Sequence, residues 1–109
     1  MNNYLIVAII KKGFADIAMA YAKKAGANGG TCVSARGLGK DEAVKFLGIT
    51  IDPEKDMLMI AADAEHKDAI VDALYENCGI KTKGSGIVLV LPVAEIRGGN
   101  FLFSPICFN

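Results

Sequence analysis

The stretch "YLIVAIIKKGFADIAMAYAKKAG", residues 4–26, decides the fold. Tyr4 to Ile10 form an unbroken apolar run rich in β-branched residues. A short run of this kind reads as a strand covered on both faces. After Gly13 the period changes. Phe14, Ile17, Ala18, Tyr21, Ala22 and Ala25 recur on one helical face, and Gly26 stands where a helix ends in a left-handed residue. "GGTCVS", Gly29 to Ser34, then reads as a second strand after a glycine turn.

The same order returns later in the chain. "DMLMIAA", Asp56 to Ala62, is a third strand. Asp63 can cap the helix that follows, whose inner face is His66 or Ala69, Ile70, Ala73, Leu74 and Cys78, with Gly79 as its stop. "GIVLVLP", Gly86 to Pro92, is the fourth strand. Pro92 offers no amide to a ladder. Between the second and third strands, "KDEAVKFLG" places Ala43, Val44 and Leu47 together, which predicts a short helix stopped by Gly48. Pro53 marks a turn.

The resulting order, β-α-β-β-α-β, is an α+β, ferredoxin-like arrangement. Two helices pack on one face of a four-stranded antiparallel sheet, with the short helix between the second and third strands. The strands are apolar in both registers, so the second sheet face is expected to meet another subunit. Residues 1–97 form the domain. Residues 98–109 form an apolar tail, "FLFSPICF" at its heart, expected to pack on a neighbour or close the sheet edge.

Bulk properties narrow the function. A chain of 109 residues is one domain by size. Its apolar content of 52% and mean hydropathy of +0.35 are high for a small monomer, which again points to assembly. Twelve basic and twelve acidic residues cancel, so there is no global pull on nucleic acid or anionic lipid. Cys32, Cys78 and Cys107 are few and far apart, and His66 is the single histidine. A disulfide framework and a zinc cluster are disfavoured; reduced thiols in the cytoplasm are expected. In "MNNYLIVAIIKK" the lysines follow the apolar run, the reverse of a secretory signal, and no stretch is long enough to span a bilayer.

Chemistry-bearing residues are sparse. Ser34, Ser85 and Ser104 have no credible histidine partner, and His66 reads as a surface or packing residue. Asp52, Glu54 and Asp56 surround a proline turn and read as solvated rather than as a cation site. An RNA-binding sheet would need aromatics on its central strands; the third strand has none and the first only Tyr4. Two glycine-rich basic loops remain: "SARGLGK", Ser34 to Lys40, and "KTKGSG", Lys81 to Gly86. Glycines let successive backbone amides converge on an anion, and Arg36, Lys40 and Lys83 would add charge-assisted hydrogen bonds. Taken alone, these glycines equally suit tight turns and the lysines a wetted loop.

Four segments together resemble the PII signal-transduction family, in a divergent PII-like branch. They are "YLIVAIIKKGFADIAM", "GANGGTCVSARGLGK", "KTKGSGIVLVLPV" and "VAEIRGG", in order, from Tyr4 to Arg97. The resemblance implies a homotrimer of ferredoxin-like subunits with adenine-nucleotide sites in the clefts between them. By position, the base of the T-loop is Arg36, Gly37, Leu38, Gly39 and Lys40. The B-loop is Lys83, Gly84, Ser85 and Gly86, and Arg97 matches an arginine that the neighbouring subunit would supply. The chain also departs from the family. Its T-loop is short and lacks a tyrosine to modify, Ser85 replaces the B-loop acid, Ile87 replaces a lysine, and a second C-terminal arginine is missing.

The expected function is that of a trimeric, cytoplasmic regulator, not an enzyme. It has no obligatory cofactor, and ATP, ADP or AMP is the candidate effector. Its partner is a protein, with a membrane transporter the implied class. It neither binds nucleic acid nor inserts into a membrane. A ligand-free interaction module and a weak nucleotide hydrolase are the alternatives.

Overall fold

The computed structural model describes residues 2–36, 44–46, 49–51, 54–81 and 86–98. Strand β1 (Asn3–Lys11) leads into helix α1 (Ala15–Lys24), which is followed by β2 (Thr31–Arg36). Two short strands, β3 (Val44–Phe46) and β4 (Ile49–Ile51), come next, then β5 (Glu54–Asp63), α2 (Ala64–Asn77) and β6 (Ile87–Val93). The main sheet has the order β2-β5-β1-β6, and every pair in it is antiparallel. This is the ferredoxin-like α+β fold.

Alternation along the central strands builds the core. Ile6, Ala8 and Ile10 of β1 are fully buried, and so, nearly, are Leu58, Ile60 and Ala62 of β5. The register pairs Ile6 with Ile60 and Ala8 with Leu58, so these side chains share one face. Ala18 and Ala22 of α1 and Ile70 and Leu74 of α2 pack onto it. The inner stripe of α1 is thus narrower than its sequence period suggests: small alanines carry the contact, while Ile17 and Tyr21 stand 48% and 36% exposed.

The opposite sheet face has no helix. Leu5, Val7 and Ile9 alternate with the buried residues of β1, and Met57, Met59 and Ala61 do so on β5. Across from them on the outer strands stand Val33, Ile87, Leu89 and Leu91, each more than 40% exposed. This face is apolar across all four strands from Val33 to Ile87, with Thr31, opposite Met59, polar at one corner.

The short helix expected over "KDEAVKFLG" is not formed. Val44 pairs with Ile51, Lys45 with Thr50 and Phe46 with Ile49 in an antiparallel ribbon. The local sequence explains the correction. Val44, Phe46, Ile49 and Ile51 are strong strand formers alternating with Lys45 and Thr50. A two-residue link containing Gly48 is a hairpin signal. The helical spacing of Ala43, Val44 and Leu47 was the weaker pattern. The fourth strand also runs one residue past Pro92, which pairs with Tyr4.

Both main helices end where glycine lets them. The Gly26 amide donates to the Lys23 carbonyl and the Ala27 amide to that of Ala22, which is the Schellman pattern. Gly26 has φ +116, and Gly79, after α2, has φ +73. At the start of α2, Asp63 caps as expected: its Oδ1 accepts from the His66 amide at 2.9 Å and lies 2.8 Å from His66 Nδ1. His66 is half-buried, and its ring fills the space in which a side chain on residue 26 would sit. A Cβ there would lie 2.3 Å from His66 Cδ2. Gly26→Ala therefore combines backbone strain with a clash, whereas Gly13→Ala, at φ +94 in open space, carries strain alone, about 1–2 kcal/mol. In urea unfolding, Gly26→Ala is expected to lose more stability than Gly13→Ala. In a His66→Ala background the excess should vanish.

Candidate functional site

The register places the predicted site residues at the two ends of the sheet. Arg36 closes β2 opposite Glu54. Gly86 immediately precedes Ile87, which pairs with Ile9 near the end of β1. Both predicted loops therefore leave from the same sheet end, on its two outermost strands. Three inter-strand spacings separate them, about 14 Å. Gly37, Leu38, Gly39, Lys40, Lys83, Gly84 and Ser85 lie outside the described residues.

Arg97 is at the other end. It follows Val93, the partner of Asn3. Its side chain is 88% exposed, with Nε donating to Glu95 Oε2 at 2.6 Å. One chain does not gather Arg36, Gly86 and Arg97.

Beneath the Arg36 end, a small polar frame fixes the backbone. Asp56 Oδ2 accepts from the Gly13 amide at 2.9 Å, and Lys12 Nζ pairs with Glu54 Oε2 at 2.8 Å. The Glu54 carboxylate holds the Lys12 ammonium above its ordinary range. These contacts tie the β1–α1 turn to the first residues of β5. Asp56 is only 8% exposed, so the expectation of a solvated acidic turn is corrected for Asp56, while Glu54 is solvent-exposed as expected. Asp52 lies outside the described residues. An acceptor from β5 also serves the start of α1, where Phe14 has no side-chain cap to offer. Among the described residues, no group of acidic, histidine or cysteine side chains is placed to hold a metal.

Gly86 has a packing reason to be glycine. A Cβ on it would lie 2.5 Å from the Ile9 carbonyl oxygen, a backbone atom that cannot swing away. The bare Cα lets the chain cross β1 closely and enter β6.

Sequence reasoning passed over a hollow of about 450 Å3 on the open sheet face, lined by Leu5, Asn28, Gly29, Gly30, Thr31, Met59 and Ala61. β2 begins only at Thr31, opposite Met59, so β5 beyond that point has no neighbour on this side. Leu5, Met59 and Ala61 make an apolar floor, and Asn28, Thr31 and glycine backbone form a polar rim. Gly30 fits tightly: a Cβ would come within 3.1 Å of Met19, Ile60 and the Met59 carbonyl. The sequence signal for the hollow is the turn "GANGGT", residues 26–31, whose glycines also suit entry into a strand. The hollow lies toward the sheet end that carries Arg97. It is five residue steps along β2 from Arg36, about 17 Å.

Residues 3–98 match the family model "Nitrogen regulatory protein P-II". The chain belongs to the nitrogen regulatory protein P-II family. It is 29% identical over 92 residues to "Nitrogen fixation nifHD1 region GlnB-like protein 1" of Methanosarcina barkeri, covering 84% of this chain and 88% of that protein. A solved P-II structure from Arabidopsis thaliana, bound to citrate, superimposes with a TM-score of 0.67 at 22% identity, covering 84% of this chain and 78% of the other. P-II proteins are regulators rather than enzymes. They are typically trimeric, bind adenine nucleotides and act on protein targets. No helix among the described residues is long and apolar enough to cross a membrane.

Two measurements follow from this geometry. Gly86→Ala overpacks the crossing onto Ile9 and is expected to cost about 1–3 kcal/mol in urea unfolding, with hydrogen exchange accelerating first in β6. The second concerns the thiols. Burial pushes up Cys78, and burial with Asp56 and Asp16 pushes up Cys32. Both groups therefore favour the native state while protonated, and that contribution fades as pH rises through their native values. The unfolding midpoint should fall on the alkaline side of the ordinary thiol range, and a Cys78→Ala variant should show a smaller fall.

Proposed function

We propose that this P-II protein is a regulatory sensor that binds an adenine nucleotide between neighbouring copies of itself, as a homotrimer. The base and ribose occupy the hollow at Leu5, Thr31, Met59 and Ala61 of one copy. The phosphates meet Arg36 to Lys40 and Lys83 to Gly86 of the next. Arg97, at the same sheet end as the hollow, closes over the phosphates across the junction.

One observation supports this reading above the others. The apolar hollow with its polar rim and the strand ends at Arg36 and Ile87 lie toward opposite ends of one sheet, while an uncovered apolar face calls for a second copy. Its volume lies within the range of small-molecule sites. Phosphate contacts from backbone amides and cations supply the rest of the recognition.

The regulatory step is a shift in population. A ligand that prefers one arrangement of residues 37–53 favours it by the difference in its affinities and by nothing else. That segment is the surface offered to a protein partner, with a membrane transporter as the implied class. A ligand-free interaction module is the second reading. It is favoured by Gly86, whose glycine identity needs no ligand to explain it.

Calorimetry with ATP, ADP and AMP separates the two. The wild-type chain should release or absorb heat with at least one of them. Arg36→Ala/Lys83→Ala should abolish the signal while light scattering still reports a trimer. Ala61→Phe should fill the hollow and weaken nucleotide binding with the phosphate loops intact. No heat with any nucleotide, and no thermal shift, would leave the interaction module standing.

A further inference from the structure

We propose that Lys11 and Lys55 form a two-lysine anion site on the open face of the sheet, taking a group of the phosphate class. The register sets Lys11 of β1 directly against Lys55 of β5. Side chains alternate along a strand. Ile10 is buried in the helix-side core, and Asp56 reaches the Gly13 amide before α1, so this neighbouring pair points toward the helices. Lys11 and Lys55 therefore share the other face, in the rows of Ile9 and Met57.

Two ammonium groups directly across from each other repel, with their Cβ atoms about 5 Å apart. The carboxylates at this end of β5 do not serve them: Glu54 pairs with Lys12, and Asp56 holds the Gly13 amide. Lys12, Lys67, Lys81 and Arg97 each lie against a carboxylate, whereas Lys11 has no such partner among the described residues. Lys55 makes a further contact within its own chain, but an ammonium carries three donors. It is only 6% exposed, where charge is weakly screened. An anion set between the two heads relieves their repulsion and is attracted by both.

Position selects the ligand. Across this end of the sheet stand Ala35 and Arg36 on β2, then Lys55, then Lys11, then β6 with Gly86 leading into Ile87. The lysines thus lie between the two strands from which the glycine-rich loops leave. Two monovalent heads suit a group with two negative charges, a phosphate monoester or a pyrophosphate chain; a phosphodiester brings one charge for two lysines. The site involves no part of the apolar tail, whose residues 99–109 lie outside the described ones. It rests on the nucleotide reading only for the source of the phosphate, since free pyrophosphate offers the same chemistry.

Calorimetry on the full chain at low salt, with sodium pyrophosphate and separately with ATP and AMP, tests it. Wild type should bind pyrophosphate, and Lys11→Gln and Lys55→Met should each weaken binding about tenfold or more. Lys11 is exposed, so its variant keeps the fold even where Lys55→Met does not. Lys23→Gln, on the helix layer, should bind as wild type. No binding of pyrophosphate by wild type, unchanged binding in Lys11→Gln, or equal weakening in Lys23→Gln overturns the proposal. Pyrophosphate bound and lost in Lys11→Gln, with no nucleotide bound, keeps the lysine site and removes the nucleotide reading. Nucleotide binding that Lys11→Gln leaves untouched does the reverse.

Discussion

Two helices cannot cover both faces of a four-stranded sheet, and this mismatch governs the molecule. β1 and β5 are apolar in both registers. Ile6, Ala8, Ile10, Leu58, Ile60 and Ala62 spend one register on α1 and α2. Leu5, Val7, Ile9, Met57 and Met59 are left on the other face. Burial of apolar surface is the main favourable term in folding and association alike. The same strands that stabilise the domain therefore also leave an apolar face open for association.

The candidate residues are likewise divided along the sheet. Arg36 and Gly86 leave one end of the sheet, and Arg97 and the hollow lie toward the other. Within a chain the frame is stiff: Asp56 and Glu54 clamp the β1–α1 turn, and Asp63 is both the last residue of β5 and the cap of α2. Membership of the P-II family agrees with an architecture in which rigid ends present variable loops.

Local signals were legible in the sequence. Gly26, Gly79 and Asp63 mark helix ends through backbone rules that need no tertiary context, and alternating or unbroken apolar runs marked all four main strands. What escaped depended on distant partners or on competing periods. Ala43, Val44 and Leu47 happened to fit a helical count, while the alternation from Val44 to Ile51 carried the true pairing. Asp56 resembled its wetted neighbours because its hydrogen-bond partner, the Gly13 amide, is far away in sequence. Ile17 and Tyr21 looked like core residues because spacing cannot show that a sheet accepts only a narrow stripe of alanines. The hollow at Thr31 was invisible for a similar reason: it exists because β2 starts later than β5 ends. Of the loop residues singled out for binding, the glycine pattern gave the family position of Gly86 but not the Ile9 carbonyl that excludes a side chain there.

The pairing of Arg36 with Glu54 has one more implication, for evolution and engineering. It closes the 37–53 segment at its root, so the domain need not sense how long that segment is. Doubling the length of a connection closed at its ends adds only about 0.6 kcal/mol of closure entropy. Peptides could be grafted or trimmed there with little penalty to the scaffold, and a lineage could rewrite its recognition surface freely. The β5–α2 corner has no such latitude: one inserted residue at Asp63 would strip the cap and shift the helix together.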